Sequence, residues 1–172
     1  VNNFVCGIII LFEKSLRIGD FVELADGLLG EVREINIRST LLRTLDNADI
    51  IVPNADFISS QVNNWTLNDD IRRFSISFSV AYGSDLEQVR KAGLKAAEDV
   101  PITLKRKNIM PDVLVTELGA SGVECILTIW AQGEWVKRPG WVKSQYLTAI
   151  YNNLRAAKIE IPFPQMDVHM RS

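Results

Sequence analysis

The stretch Arg43-Thr44-Leu45-Asp46-Asn47-Ala48-Asp49-Ile50-Ile51-Val52-Pro53-Asn54 constrains this chain more than any other. Asp46-Asn47 is turn chemistry, because Asx side chains bond to nearby backbone and tolerate the left-handed region better than other non-glycine residues. Ile50-Ile51-Val52 is a β-branched run suited to a pleated sheet. Pro53 removes an amide donor and biases Val52 toward extended backbone, so the strand is expected to stop there. Asn54 is then expected to cap a short helical turn through Ala55-Asp56-Phe57-Ile58. A hairpin with a capped exit is a fold signature and carries no catalytic group.

The flanking sequence extends this pattern. After Arg17-Ile18-Gly19-Asp20, short strands are expected over 21–24 and 30–37, then in the hairpin over 40–45 and 49–52, with Gln61 to Trp65 closing the set. Val32, Ile35 and Ile37 do not share one parity, which predicts a bulge or bend near Glu34. Short strands joined by tight turns over about fifty residues suggest a small barrel, since closure removes exposed edges.

Asn68-Asp69-Asp70 is a polar break and the expected domain boundary. Beyond it, Phe74, Ile76, Phe78 and Val80 alternate with Ser75, Ser77, Ser79 and Ala81, as in a sheet with one buried face. Ser84 and Glu87 have capping-box spacing. They precede a helix with Leu86, Val89, Ala96, Ala97 and Val100 on its apolar side, up to Pro101. Gly93 within it permits a close approach. Strands are expected over 112–118 and 123–131. A second helix over about 140–157 carries Leu147, Ile150, Tyr151, Leu154 and Ala157 on one side. Ile161-Pro162-Phe163-Pro164 enforces an extended segment before a last strand from Met166 to Met170. The order β-α-β-β-α-β is the ferredoxin-like split β-α-β arrangement, so the fold class is α+β.

The uncharged N-terminal stretch, Phe4 to Phe12, is too short to span a bilayer, which needs about 20 apolar residues. It also lacks the basic leader and cleavage site of a signal peptide. The residues leave two readings open. One is a core strand or helix of a soluble domain. The other is the last turns of a membrane helix that begins before Val1, with Lys14 and Arg17 following as at a cytoplasmic membrane exit.

Little in the chain points to chemistry. His169 is the single histidine, so a histidine-rich metal site is excluded, and no Cys/His spacing resembles a zinc motif. No nucleophile elbow or phosphate-binding glycine loop is present. Asp69-Asp70 and Glu98-Asp99 fall at turns and helix ends, where capping or solvation is their ordinary role. Cys6 and Cys125 read as inert core thiols, and two isolated cysteines fit a reducing compartment. Lys105-Arg106-Lys107 reads as a solvated loop. Trp130, Trp135 and Trp141 read as core packing, with a lipid, ligand or subunit contact as the alternative. No enzymatic activity and no cofactor are expected.

Taken in order, the motifs resemble the small-conductance mechanosensitive channel (MscS) family over essentially the whole sequence. The residues that carry the resemblance are Phe12, Arg17-Ile18-Gly19-Asp20, Gly30-Glu31-Val32, Arg38-Ser39-Thr40, Leu42-Arg43-Thr44, Ile50-Ile51-Val52-Pro53-Asn54 and Asn64-Trp65. Val80-Ala81-Tyr82-Gly83-Ser84-Asp85 and Ile161-Pro162-Phe163-Pro164-Gln165-Met166-Asp167-Val168 complete the set. Asp46-Asn47 stands where many relatives have Asp-Gly, and Lys158 where a glycine often ends the second helix.

The resemblance implies that residues 1–16 are the end of a pore-lining transmembrane helix, bent along the cytoplasmic membrane surface. Residues 17–67 would be an Sm-like β-barrel, and 68–172 a ferredoxin-like α/β domain. The implied assembly is a homo-heptamer enclosing a cytoplasmic vestibule with side portals. Met166, Asp167, Val168, His169 and Met170 would join a small axial barrel. Asn3 and Gly7 match positions near the kink of the pore helix and are associated with gating; for Gly7 the alternative is close helix packing. The implied function is tension-gated release of ions and small osmolytes on hypo-osmotic shock. The implied partners are other copies of the chain, the lipid bilayer and the permeating solutes, with the chain mostly on the cytoplasmic side of the inner membrane. Two other classes compete. One is a soluble Sm-like ring binding RNA, which the net charge of −2 and the lack of a basic-aromatic stripe oppose. The other is a non-conducting oligomeric ligand-sensing cage.

Overall fold

The computed structural model describes residues 2–168. Its internal contacts divide the chain into two units, one up to Ile71 together with Val136–Arg138, the other Arg72–Trp135 with the chain from Pro139 onward.

The first unit starts with helix α1 (Asn2–Glu13), followed by strands β1 (Phe21–Glu23), β2 (Leu29–Ile35), β3 (Ser39–Thr44) and β4 (Asp49–Pro53). A short helix α2 (Asn54–Ser59) and strand β5 (Asn63–Asn64) complete it. The strands form one five-stranded antiparallel sheet in the order β4-β3-β2-β1-β5. The expected irregularity near Glu34 is present as a register shift between Val32 and Glu34. Such a shift bends a strand and raises its twist. Val22, Val32, Leu42 and Val52 contribute one inward side chain from each of four strands, and Ile10 and Leu16 join them. Alternation sends Ile51 and Leu45 outward.

Asn47 takes left-handed backbone at the hairpin turn, with φ of 61°. The strand after it runs one residue beyond the expected stop, pairing Ser39 with Pro53. The reason is position: β4 is the end strand of its sheet, and there a missing N–H breaks no ladder.

The second unit comprises β6 (Ile71–Val80, reaching back one residue into the first unit), α3 (Leu86–Asp99), β7 (Asp112–Leu118), β8 (Val123–Gln132) and α4 (Pro139–Ala156). A 3-10 turn, Gly133–Lys137, precedes α4. The sheet order is β6-β8-β7, the split β-α-β arrangement with both helices sharing one core with the sheet. Ile76, Val80, Leu127, Ile129, Val89, Ala96, Tyr146 and Leu154 lie in that core. Gly93 lets α3 approach β7: a Cβ there would sit 2.5 Å from Val113 Cγ2.

Three local expectations are corrected. The N-cap of α3 is Asp85, not Ser84; the Asp85 carboxylate accepts from the amides of Glu87 and Gln88. Ser84 instead donates its hydroxyl to the Ala81 carbonyl at 2.6 Å. The buried stripe of α4 is rotated from the expected one and runs through Val142, Tyr146, Ala149, Ile150, Asn153 and Leu154, leaving Leu147 and Tyr151 exposed. Asn153 sets this rotation, because its amide donates to Asp99 Oδ2 at 2.8 Å and to the Ala149 carbonyl at 2.9 Å. Finally, residues 161–168 form no strand. The Ala81 amide donates to the Glu160 carbonyl at 2.9 Å, and then Pro162 and Pro164, which have no N–H, end the ladder. Of the expected last strand, Met166, Asp167 and Val168 are exposed and belong to no strand, and His169 and Met170 lie outside the described residues.

Candidate functional site

The N-terminal helix has two apolar faces with different fates. Cys6, Gly7 and Ile10 are buried, and Ile10 belongs to the core of the strands below. Phe4, Val5, Ile8, Leu11 and Phe12 recur at helical spacing on the other side and stay exposed, Phe12 at 85%. A helix of this kind is docked on one side and unpartnered on the other.

The docked side is held by a glycine and two asparagines. At Gly7 a Cβ would overlap the Ile37 carbonyl oxygen and lie 2.6 Å from Asn54 Nδ2. The helix therefore reaches the 36–38 turn only because no side chain intervenes. α1 is helical on both sides of Gly7, so here the glycine serves close packing. Asn3 Oδ1 accepts the Ala55 amide at 2.9 Å, a bond between residues 52 positions apart that satisfies one of the free donors at the start of α2.

Asn54 does not do what its neighbourhood suggests. The side chain makes no cap bond, and the cap position is Pro53. Asn54 is fully buried; its carbonyl oxygen accepts from Thr40 Oγ1 at 2.9 Å and its amide donates to the Asn36 carbonyl at 2.9 Å. The capping role expected of Asn54 thus passes to Asn3, and Asn54 instead fixes the floor on which Gly7 rests.

The exit of the helix is fastened by a second polar group that sequence reading left unassigned. Lys14 and Gly19 take positive φ, 52° and 92°, and turn the chain sharply after α1. Asp20, 7% exposed, then gathers the ends. Its Oδ2 accepts from the Arg17 amide at 2.9 Å and from Asn64 Nδ2 at 2.7 Å, and its Oδ1 from Thr66 Oγ1 at 3.3 Å. Thr66 Oγ1 in turn accepts the Phe21 amide at 3.0 Å. The sequence signal was Arg17-Ile18-Gly19-Asp20 itself, but its partners lie more than forty residues downstream. No buried side-chain nitrogen or oxygen among the described residues is left without a partner.

The remaining candidates are structural. Cys6 and Cys125 are buried free thiols, and burial pushes the Cys125 thiol above its ordinary range. Trp135 and Trp141 stack at 4.6 Å. Lys105 pairs with Glu98 and Arg106 donates to Gln132, both at the surface. Among the described residues no group of three His, Cys, Asp or Glu is placed to hold a metal ion. No helix among them is long and apolar enough to cross a membrane.

The chain thus consists of a small β-domain bearing a docked apolar helix, followed in sequence by a ferredoxin-like domain. Residues 1–67 match the mechanosensitive ion channel β-domain and residues 74–161 the mechanosensitive ion channel MscS C-terminal domain. The chain belongs to the MscS family of mechanosensitive ion channels. It is 39% identical to the mechanosensitive channel MscK of Escherichia coli K12 and 33% identical to the miniconductance channel MscM of the same organism. Both matches cover 99% of this chain and 15% of the relative. A closed-state crystal structure of Helicobacter pylori MscS superposes with a TM-score of 0.86 at 29% identity, over 99% of this chain and 65% of that one. The chain thus spans a small part of the two curated relatives and just under two thirds of the solved one.

Proposed function

We propose that this chain is the end of the pore helix and the cytoplasmic part of a homo-heptameric channel in the inner membrane. Membrane tension opens it, and ions and small osmolytes leave through it on hypo-osmotic shock. Family membership over both units supports the channel reading. The observation that carries the mechanism is the seating of α1: one apolar face is locked to α2 and the 36–38 turn through Asn3 and Gly7, and the other is exposed.

Tension favours the state that occupies more area in the bilayer, and shifts the closed-to-open equilibrium by that difference. A pore helix whose continuation is α1 feels this shift directly. Asn3 and Gly7 are then gating residues in a specific sense: they hold the end of the helix on the β-domain in the seated state, and their contacts weight that state against any in which α1 lifts away.

Patch-clamp recording of the complete protein in liposomes tests the proposal. Tension-evoked currents are expected. An absence of current up to membrane rupture, from protein shown to be inserted, overturns it.

A further inference from the structure

β6 has β8 as its hydrogen-bonded neighbour and ends its sheet on the other side. A ferredoxin-like domain commonly places a fourth strand there, but Pro162 and Pro164 prevent the returning chain from pairing. A cleft of about 480 Å³ results, a size typical of small-molecule sites, which run to roughly 300–1,000 Å³. Its floor is apolar and comes from α4, with Leu147, Tyr151 and Leu154, and Pro162 forms one wall.

The cleft is built into the structure. A Cβ at Gly122 would lie 2.5 Å from the Val80 carbonyl oxygen and 2.8 Å from Pro162 Cγ, so that glycine is what lets the wall stand so close. The strap is tied at both ends: the Ala81 amide donates to the Glu160 carbonyl, and the Gln165 amide to Ser121 Oγ at 3.3 Å. These ties set the width of the cleft.

One corner is polar. Ser79, Ser121 and Glu124 line it, and Ser79 donates its hydroxyl to Glu124 Oε2. Among the described residues no Lys or Arg lies within ion-pair distance of Glu124. A carboxylate beside an apolar floor, with a hydroxyl for company and no cation paired to it among the described residues, is complementary to a ligand that is cationic at one end and apolar at the other.

We propose that this cleft binds a small primary ammonium compound with an apolar tail, the ammonium donating to Glu124 and the tail lying on Leu147, Tyr151 and Leu154. The site is independent of the gating proposal and stands or falls separately from it.

The test is an NMR titration of the 172-residue chain with hexylammonium, hexanol and hexanoate, which share a tail and differ in charge. Hexylammonium is expected to bind about tenfold more tightly than hexanol, the gain of a charge-assisted hydrogen bond, and hexanoate more weakly than either. Amide shifts are expected to cluster around Ser79, Ser121, Glu124 and the adjacent turn of α4. Glu124→Gln keeps a partner for Ser79 and is expected to bring hexylammonium down to the level of hexanol. Leu147→Ala is expected to weaken hexylammonium and hexanol alike without changing their order. Equal binding of the three compounds to the unaltered chain overturns the proposal, as does a ranking that survives Glu124→Gln. Shifts centred on the exposed face of α1 overturn it too, since they mark nonspecific partitioning.

Discussion

Gly7 is small because the Ile37 carbonyl and the Asn54 amide occupy the space a side chain would need. Replacing it by Ala sets two effects against each other. Alanine improves an isolated helix by about 1 kcal/mol relative to glycine, whereas forcing a methyl group into a filled contact costs about 1–3 kcal/mol. The blocking atoms are a backbone oxygen and a fully buried amide, neither able to swing away, so the second effect is expected to win. Gly7→Ala should loosen the seat of α1, and the Ala55 amide, bonded to Asn3, should exchange its hydrogen faster. Unchanged Ala55 protection would show that Gly7 does not control docking. In the full channel the same substitution should alter opening and desensitisation; if both are unaltered, Gly7 has no part in gating. The seat also marks the limit of local reading. Asn54 after Pro53 looks like a helix cap, and nothing nearby in the sequence shows that Thr40 and Asn36 claim its side chain. The actual donor-satisfying group, Asn3, is 52 residues away, and Asp20 is completed by Asn64 and Thr66. Residue types announced polar contacts, but the partners were set by tertiary approach.

The β3–β4 hairpin has a device that acts on the whole element. Arg43 Nε and Nη2 donate to the two carboxylate oxygens of Asp49 at 2.7 and 2.9 Å, across the register pair nearest the turn. The hydrogen bond from Arg43 holds the Asp49 carboxyl below its ordinary range, and the same bond raises the guanidinium. A carboxyl depressed in the folded state stabilises above its unfolded pKa, about 3.9, and that contribution is lost as the pH falls through the folded value. Asp49→Asn should therefore flatten the acid limb of thermal stability, with the unaltered protein losing melting temperature faster below about pH 4. The pair lies at the surface, so the difference will be small. Parallel melting-temperature curves for the two proteins would rule the pair out as a contributor. At this scale the sequence was most legible where one period governs. The alternation of β6 and the Asx turn of the hairpin follow from neighbouring residues alone. α4 was less legible because Asn153, a polar residue, turns inward to meet Asp99, and hydrophobic spacing cannot foresee a buried polar bond.

At the scale of the molecule, large exposed apolar side chains gather near both ends of the described chain. Phe4, Val5, Ile8, Leu11 and Phe12 stand on α1, and Phe163, Met166 and Val168 follow the last helix, with Met166 at 88% exposure. Contiguous apolar surface of this kind marks contact with lipid or protein. Residues 161–168 form no strand within the chain, and pairing with strands of other copies would cover apolar side chains and backbone groups at once. The proposed axial barrel of Met166 to Met170 would supply those strands from symmetry-related copies, because closed rotational symmetry lets identical segments cover one another without leaving an edge. On this account residues 166–168 form no strand in the single chain for a physical reason: the pairing partners would be the other subunits. Native mass measurement of the complete protein in detergent should give seven subunits. Met166→Asp with Val168→Asp places carboxylates where the strands would converge, and should lower the heat resistance of the ring or the fraction assembled. A monomeric complete protein would defeat the ring itself. A double variant that assembles fully, with unchanged thermal stability, would instead leave the ring standing and remove the terminal strand from its construction.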